Sequence, residues 1–440
     1  MTQRLRYGLL GAALTLGTAA HAGAQVTLTL DEAMARARTA TPAARATTAA
    51  VAEATVRITE ARSGFLPRVD VSGSVQRGNQ PVYVFSTLLS QRRFTAENFD
   101  IQNLNQPAPE TNVRTAIGIN QHVYDATVPH AVRAAELQRD LAALDHAKGT
   151  RDLAFQAAQA FVRVLQLEAA ERATLGAVAA AESDLTRTRQ RRDVGLVTDA
   201  DVLAIEVHLA DVRQRRIATD GDLAVARLEL AEALGMPLDE PVLLVKPLAP
   251  PAPPDPRSLG RQALDARPER QQAELRVRLA ENRSRLAESA FLPRLGVEAA
   301  WEFNGSTWTK QRSAWLVGAT VTLNVFNGFA DHARLSEARH AESRAAAERE
   351  QVERRIDVEL RSAVARLAAA QAGETAGRAA VTQALESQRI IRNRYDAGLA
   401  TVTDVLRAAE AMLDAEARAT AAETTVILET VALNRALGRL

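Results

Sequence analysis

The sequence predicts a mainly α-helical fold joined to short strands that can close into a membrane β-barrel only when several copies pool them. Three observations predict it: very long helix-compatible stretches, four segments that alternate apolar and polar residues, and the recurrence of both in one order in two halves. Aromatics make up only 4% of the 440 residues, and alanine supplies much of the apolar share. Alanine at that density favours long helices in close approach over a bulky core.

The first element is an address. In MTQRLRYGLLGAALTLGTAAHAGAQ, Arg4 and Arg6 precede an apolar run to Leu16 and small residues suited to cleavage after Ala22 or Ala24. Residues 1–24 therefore read as a secretory signal peptide, with the mature chain starting near Gln25. No other window approaches the roughly 20 unbroken apolar residues of a spanning helix, so membrane residence would come through strands or partners. The chain holds no cysteine. That predicts no lipid anchor at the mature N-terminus and excludes thiolate metal sites.

Proline then divides the chain. Seven of its 16 prolines fall between Pro241 and Pro256. Because proline breaks helices and stiffens linkers, residues 241–257 read as an extended strap between a first repeat, 25–240, and a second, 258–440. SGFLPRVDVSGSVQ (Ser63 to Gln76) answers SAFLPRLGVEAAWE (Ser289 to Glu302), and RRDVGLVTDADVL (Arg191 to Leu203) answers NRYDAGLATVTDVL (Asn393 to Leu406).

Each half parses alike. The alternating segments predict strands at about 69–77, 113–124, 294–303 and 314–326. One face carries Val69, Val71, Val75, Val113, Ile117, Ile119, Trp301, Val317 and Val321; the other carries Asp70, Ser72, Ser74, Gln76, Asn120, Glu298, Glu302 and Thr320. Long helical hairpins follow over 128–236 and 330–438. Val128 to Val194 holds 67 residues and Ala330 to Tyr395 holds 66, so each long helix would run about 100 Å. In the last helix Val405, Met412, Ala419, Val426, Leu433 and Leu440 recur every seven residues, the seam of helices laid side by side in a coiled coil or a bundle.

Four strands cannot close a barrel, and an open sheet in lipid leaves edges that no water satisfies. Three copies would supply twelve strands, an even number within the range of outer-membrane barrels, with the polar strand face lining a water-filled lumen.

Other function classes find no support. The 54 basic and 53 acidic residues nearly cancel, so the runs RTRQRR (Arg187 to Arg192) and RQRR (Arg213 to Arg216) read as solvated surface or a meeting place for an acidic partner, with no nucleic acid as partner. The seven histidines make no metal spacing, and no phosphate loop or nucleophile elbow occurs, so neither enzyme activity, metal nor cofactor is expected.

The signal, the doubled strand-pair and hairpin pattern, the FLPR helix ends and the turns DVGLVTDADVL and YDAGLATVTDVLRA together resemble the TolC family of outer membrane efflux proteins across essentially the whole mature chain. The resemblance implies a homotrimer: a twelve-stranded β-barrel in outer-membrane lipid continued by a twelve-helix α-barrel across the periplasm. It implies a passive conduit docked to a periplasmic adaptor (membrane fusion protein) and an inner-membrane pump, in tripartite efflux or type I secretion. The two turns would then form the periplasmic tip, where Gly195 and Gly398 accept the positive φ that a reversing helix needs. By resemblance Asp404 belongs to an acidic ring at the narrow mouth, while Arg407 stands where some members place a second acid. Tyr395 would latch the closed mouth by hydrogen bonding to Asp201, and Ala400 replaces the basic latch residue of some members.

One further feature is the 35-residue connection from Gly78 to Asn112. Tyr83, Phe85, Phe94 and Phe99 argue that it is ordered, as an outer-surface cap or pore constriction, or as a loop packed on the barrel rim. The alternative to the channel is an exported periplasmic coiled-coil structural or adaptor protein, which would not need the four alternating segments.

Overall fold

A computed structural model describes residues 26–247 and 256–440. The expected signal peptide, 1–24, and the middle of the strap lie outside the described residues. The first half holds β1 (Val26–Leu28), α1 (Leu30–Ala40), α2 (Pro42–Arg62), β2 (Arg68–Gly78), α3 (Pro81–Ser90), α4 (Ile101–Asn105), β3 (Glu110–Tyr124), α5 (Thr127–Asp193) and α6 (Asp199–Leu234). After β4 (Val242–Leu244) come α7 (Pro256–Ala266), α8 (Pro268–Glu288), β5 (Arg294–Gly305), β6 (Gln311–Thr322), α9 (Ala330–Asp396) and α10 (Val402–Ala436).

Long helices form because the sequence offers nothing to stop them. α5 and α9 each run 67 residues, which at 1.5 Å per residue is about 100 Å. The helices lie side by side: α2 and then α6 flank α5, α8 and then α10 flank α9, and α5 also meets α8 and α10. Small residues permit the close approach. Gly377 of α9 lies against Ala419 of α10, where an added Cβ would sit 3.2 Å from the Ala419 Cα.

The strands β2, β3, β5 and β6 form one antiparallel sheet in that order. Its register places the apolar residues in rows: Val71, Ile117, Trp301 and Trp315 lie across from one another, as do Val69, Ile119, Ala299 and Val317. This face is open, with Val71 72% and Trp315 77% exposed. The other face carries Ser72, Ser74, Asp70 and an ion pair between Arg114 and Glu302, and Asn112 Nδ2 donates to Asn304 Oδ1 at 2.8 Å. The 11 residues of β2 span about 36 Å, or about 28 Å of height at a barrel tilt near 40°, which fits the roughly 25 Å apolar band of an outer-membrane barrel.

Midway along the helices sits a belt that the strand and helix periodicities do not announce. Val26–Leu28 pairs in parallel with Val242–Leu244, and α1 packs on α5 around the fully buried Phe161. The strap is extended along its apolar Val242–Leu244 run, stitched as β4, but not to its expected end at 257, because Pro256, free to occupy a first helical turn, opens α7. A second correction concerns the last strand, expected over 314–326. It spans Gln311–Thr322, and the chain then turns through Gly328 and Phe329, both at positive φ, before α9 begins.

Candidate functional site

Both hairpins reverse in the same way. α5 ends with Gly195 at φ +77°, whose N–H donates to Arg192 O at 2.8 Å while Leu196 N–H donates to Arg191 O at 2.9 Å. α9 ends with Gly398, also at φ +77°, with Gly398 N–H on Tyr395 O at 3.0 Å and Leu399 N–H on Arg394 O at 2.7 Å. This paired closure of the last carbonyls places a left-handed residue after the helix, and only glycine occupies that position without strain.

Three residues on, each returning helix starts with a reciprocal cap. Thr198 Oγ1 accepts from Asp201 N–H at 3.3 Å, and the Asp201 carboxylate accepts from Thr198 N–H at 2.9 Å and its hydroxyl at 2.8 Å. Thr401 and Asp404 repeat the arrangement at 3.3, 2.9 and 2.7 Å. The turn therefore recurs because stop and restart signals recur at fixed spacing. The backbone N–H and then the hydroxyl of Thr401 hold the Asp404 carboxyl below its ordinary value, with Arg407 and Arg394 adding to the effect.

The expected bond from Tyr395 to Asp201 needs correction. Tyr395 is only 6% exposed and lies in a cluster with Leu185, Val202, Ile205, Val402 and Val405. Its hydroxyl reaches Thr188 Oγ1 at 3.4 Å, whereas Asp201 is committed to its cap. The strong tie to Tyr395 comes from Arg191 on α5, whose guanidinium sits 4.7 Å from the Tyr395 ring centroid and donates to Tyr395 O at 2.8 Å. Around it Arg392 donates to Asp184 at 3.0 Å, and Arg187 lies 3.7 Å from Asp396.

The basic runs are solvated, with the side chains of Arg189, Arg213 and Arg215 each more than half exposed, and they also meet acids of their own chain. Arg189 pairs with Glu206, Arg213 with Glu182 and Arg215 with Glu410, all within the chain. The acids lie on other helices, 17 to 195 residues away, so no local spacing reveals the pairing, and the same holds for Arg191 and Tyr395, 204 residues apart. Arg407 stays exposed one turn after Asp404.

At the far end of the molecule the 78–112 connection is built from α3, a short 3-10 turn and α4. Phe85, Phe94 and Phe99 form a chain of edge-to-face contacts at 4.8 and 5.1 Å between centroids. Tyr83 Oη donates to Gln76 O at 2.8 Å. Gln91 Nε2 donates to Asn112 Oδ1 at 3.1 Å, a residue of the polar face, so α3 lies over that face.

No helix among the described residues is long and apolar enough to cross a membrane, and no cluster of His, Cys, Asp or Glu among them could hold a metal. Fold and tip together define a class: a membrane-height sheet with one apolar face, extended by paired helical hairpins about 100 Å long.

Comparison with known proteins gives the family. The sequence profile of the family described as outer membrane efflux protein matches residues 33–236 and 259–439, and the chain belongs to that family. In fold it is similar to the outer membrane protein VceC from Vibrio cholerae, at 18% identity, 93% of this chain, 96% of that one and a TM-score of 0.76. It is similar also to a membrane protein from Pseudomonas aeruginosa, at 19% identity, 93% of each chain and a TM-score of 0.79. The CmeC outer membrane channel of Campylobacter jejuni aligns at 15% identity over 93% of this chain and 85% of that one, with a TM-score of 0.79. No curated protein sequence matches the chain.

Proposed function

We propose that three copies of this chain assemble into a passive conduit, with a twelve-stranded barrel in the outer membrane and a twelve-helix tunnel below it. An adaptor and an inner-membrane pump would feed the tunnel in tripartite efflux or type I secretion. The observation that carries the reading is the four-stranded sheet: its apolar face is in register and largely open, Val113 being buried, and β2 and β6 are its two edges. In hydrocarbon each unpaired edge group costs several kcal/mol, so the sheet is compatible with lipid only if a neighbour's β6 pairs with β2. An adaptor or stalk has no use for such a face. The proposed organisation is a cleaved leader at 1–24, repeats over 25–240 and 258–440, and the strap 241–257 between them.

At the tip, six glycine turns would surround one mouth. Asp404 and Arg407 would alternate there in charge, so the ring would lack the strong pull on cations that two acids per chain exert. The latch would consist of Arg191 clamping Tyr395, with Thr188 and the Asp184–Arg392 pair beside it, and Asp201 would serve it through the cap. The 78–112 connection, with Tyr83, Phe85, Phe94 and Phe99, would narrow the outer end, because α3 covers the lumen-side face. Planar-bilayer recording tests the conduit: folded protein is expected to give discrete channels, and a bilayer that stays non-conducting contradicts the proposal.

A further inference from the structure

The charge of the chain is balanced overall but not locally. Midway along the helices, over the junction where α10 ends and α8 begins, a groove of about 840 Å³ is lined by Lys148, Arg267, Arg276, Arg355, Arg366 and Arg435. Only two carboxylates, Glu269 and Glu359, line it with them. Those two are already engaged: Arg267, buried at 7% exposure, donates to Glu269 and Glu359 at 2.8 Å each, and Arg355 donates to Glu359 at 3.1 Å. Arg435 is held by Asp152. Burial alone would push the Glu269 carboxyl up, but the bonds from Arg267 and its own backbone N–H, with the nearby charge of Lys148, bring it below its ordinary value. Lys148, Arg276 and Arg366 have no ion-pair partner among the described residues.

The groove borders the cluster under α7, which joins the belt on the helices' flank, and shares Ala363 and Ala436 with it, while its polar wall turns away. α7 packs its Leu259 and Ala263 against Leu360, Leu367 and Leu433. At about 100° per residue, Ser362 and Arg435, which line the groove, lie roughly 160° round their helices from Leu360 and Leu433. In a ring of copies the belt must lie outside, since belts turned inward would fill the bore.

From this we infer that the groove is a binding site for small multivalent anions, carrying phosphate, sulfonate or several carboxylate groups. Like charges held this close along a cleft between low-dielectric helices focus a positive potential that one multivalent anion would neutralise. That the site opens into the bore rests on the proposed conduit; the presence of the site does not.

Pyranine, a sulfonated fluorescent anion, serves as the probe, followed by fluorescence anisotropy on the full chain purified in detergent at low salt. Saturable binding is expected, weakened at least tenfold in a Lys148→Gln, Arg276→Gln, Arg366→Gln variant, which removes no ion pair from the fold. A variant with the same loss of charge elsewhere, Arg57→Gln, Arg344→Gln, Arg418→Gln, is expected to bind as the parent does. Absence of saturable binding, or equal weakening in both variants, overturns the site. Binding by a chain that conducts no current supports the site and contradicts the conduit.

Discussion

Replacing Arg191 by Met is the perturbation that separates the observed tip geometry from the expected one. Methionine keeps the apolar stem and removes the guanidinium. The group contributes a charged hydrogen bond to Tyr395 O at 2.8 Å, about 1.5–3 kcal/mol. It also stacks on the Tyr395 ring at 4.7 Å, adding about 1 kcal/mol at a mostly buried site. Its contact with Asp396 at 3.8 Å is half-exposed on the acid's side and adds little. These terms share one group and do not simply add, so about 2–3 kcal/mol per chain is the working figure. That shifts a latched-to-released equilibrium by roughly 30- to 150-fold. Single-channel recording in planar bilayers is expected to show larger or more frequent open states for Arg191→Met. Tyr395→Phe is expected to change little, since only the long contact to Thr188 is lost. Wild-type conductance in an assembled Arg191→Met protein, or an equal opening by Tyr395→Phe, would refute the clamp.

Asp201→Ala is expected to remove about 1 kcal/mol of cap stability from the start of α6, read as faster amide exchange over its first turn with little change in conductance. The same exchange at Asp404 is expected to depend on pH. Its carboxyl lies below the ordinary 3.8 in the folded chain, so the cap's contribution is fully present above that value and lost as pH falls through the lowered one; Asp404→Asn should abolish this dependence. Gly398→Ala meets nothing within 4 Å and is expected to cost only the left-handed strain, about 1–2 kcal/mol. Gly438→Ala, at φ +72° with an added Cβ 2.9 Å from Ala266 O, is expected to cost more, and heat-inactivation half-lives of the two variants should rank accordingly.

Where an element depends on its own period, the sequence discloses it. The long hairpins and the four strands were readable from spacing alone, as were the apolar rows that the register then aligned, because a strand face and a helix seam are written every two or every seven residues. The belt was not readable: three-residue β1 and β4 are too short to carry a period, and they pair across more than two hundred residues. At the tip, glycine stops and threonine restarts were legible as local chemistry. The partner of Tyr395 was not, since Arg191 lies 204 residues away and looks like any member of a basic run. A capping box and a latch acceptor present the same acid in the same place, so spacing alone fits Asp201 to either bond, and the structure has it in the cap.

Closure of the sheet only among copies is tested by native mass spectrometry of the protein extracted in detergent from outer membranes. A complex of three chains is expected; a species of one or two chains from the same membranes would contradict closure among copies.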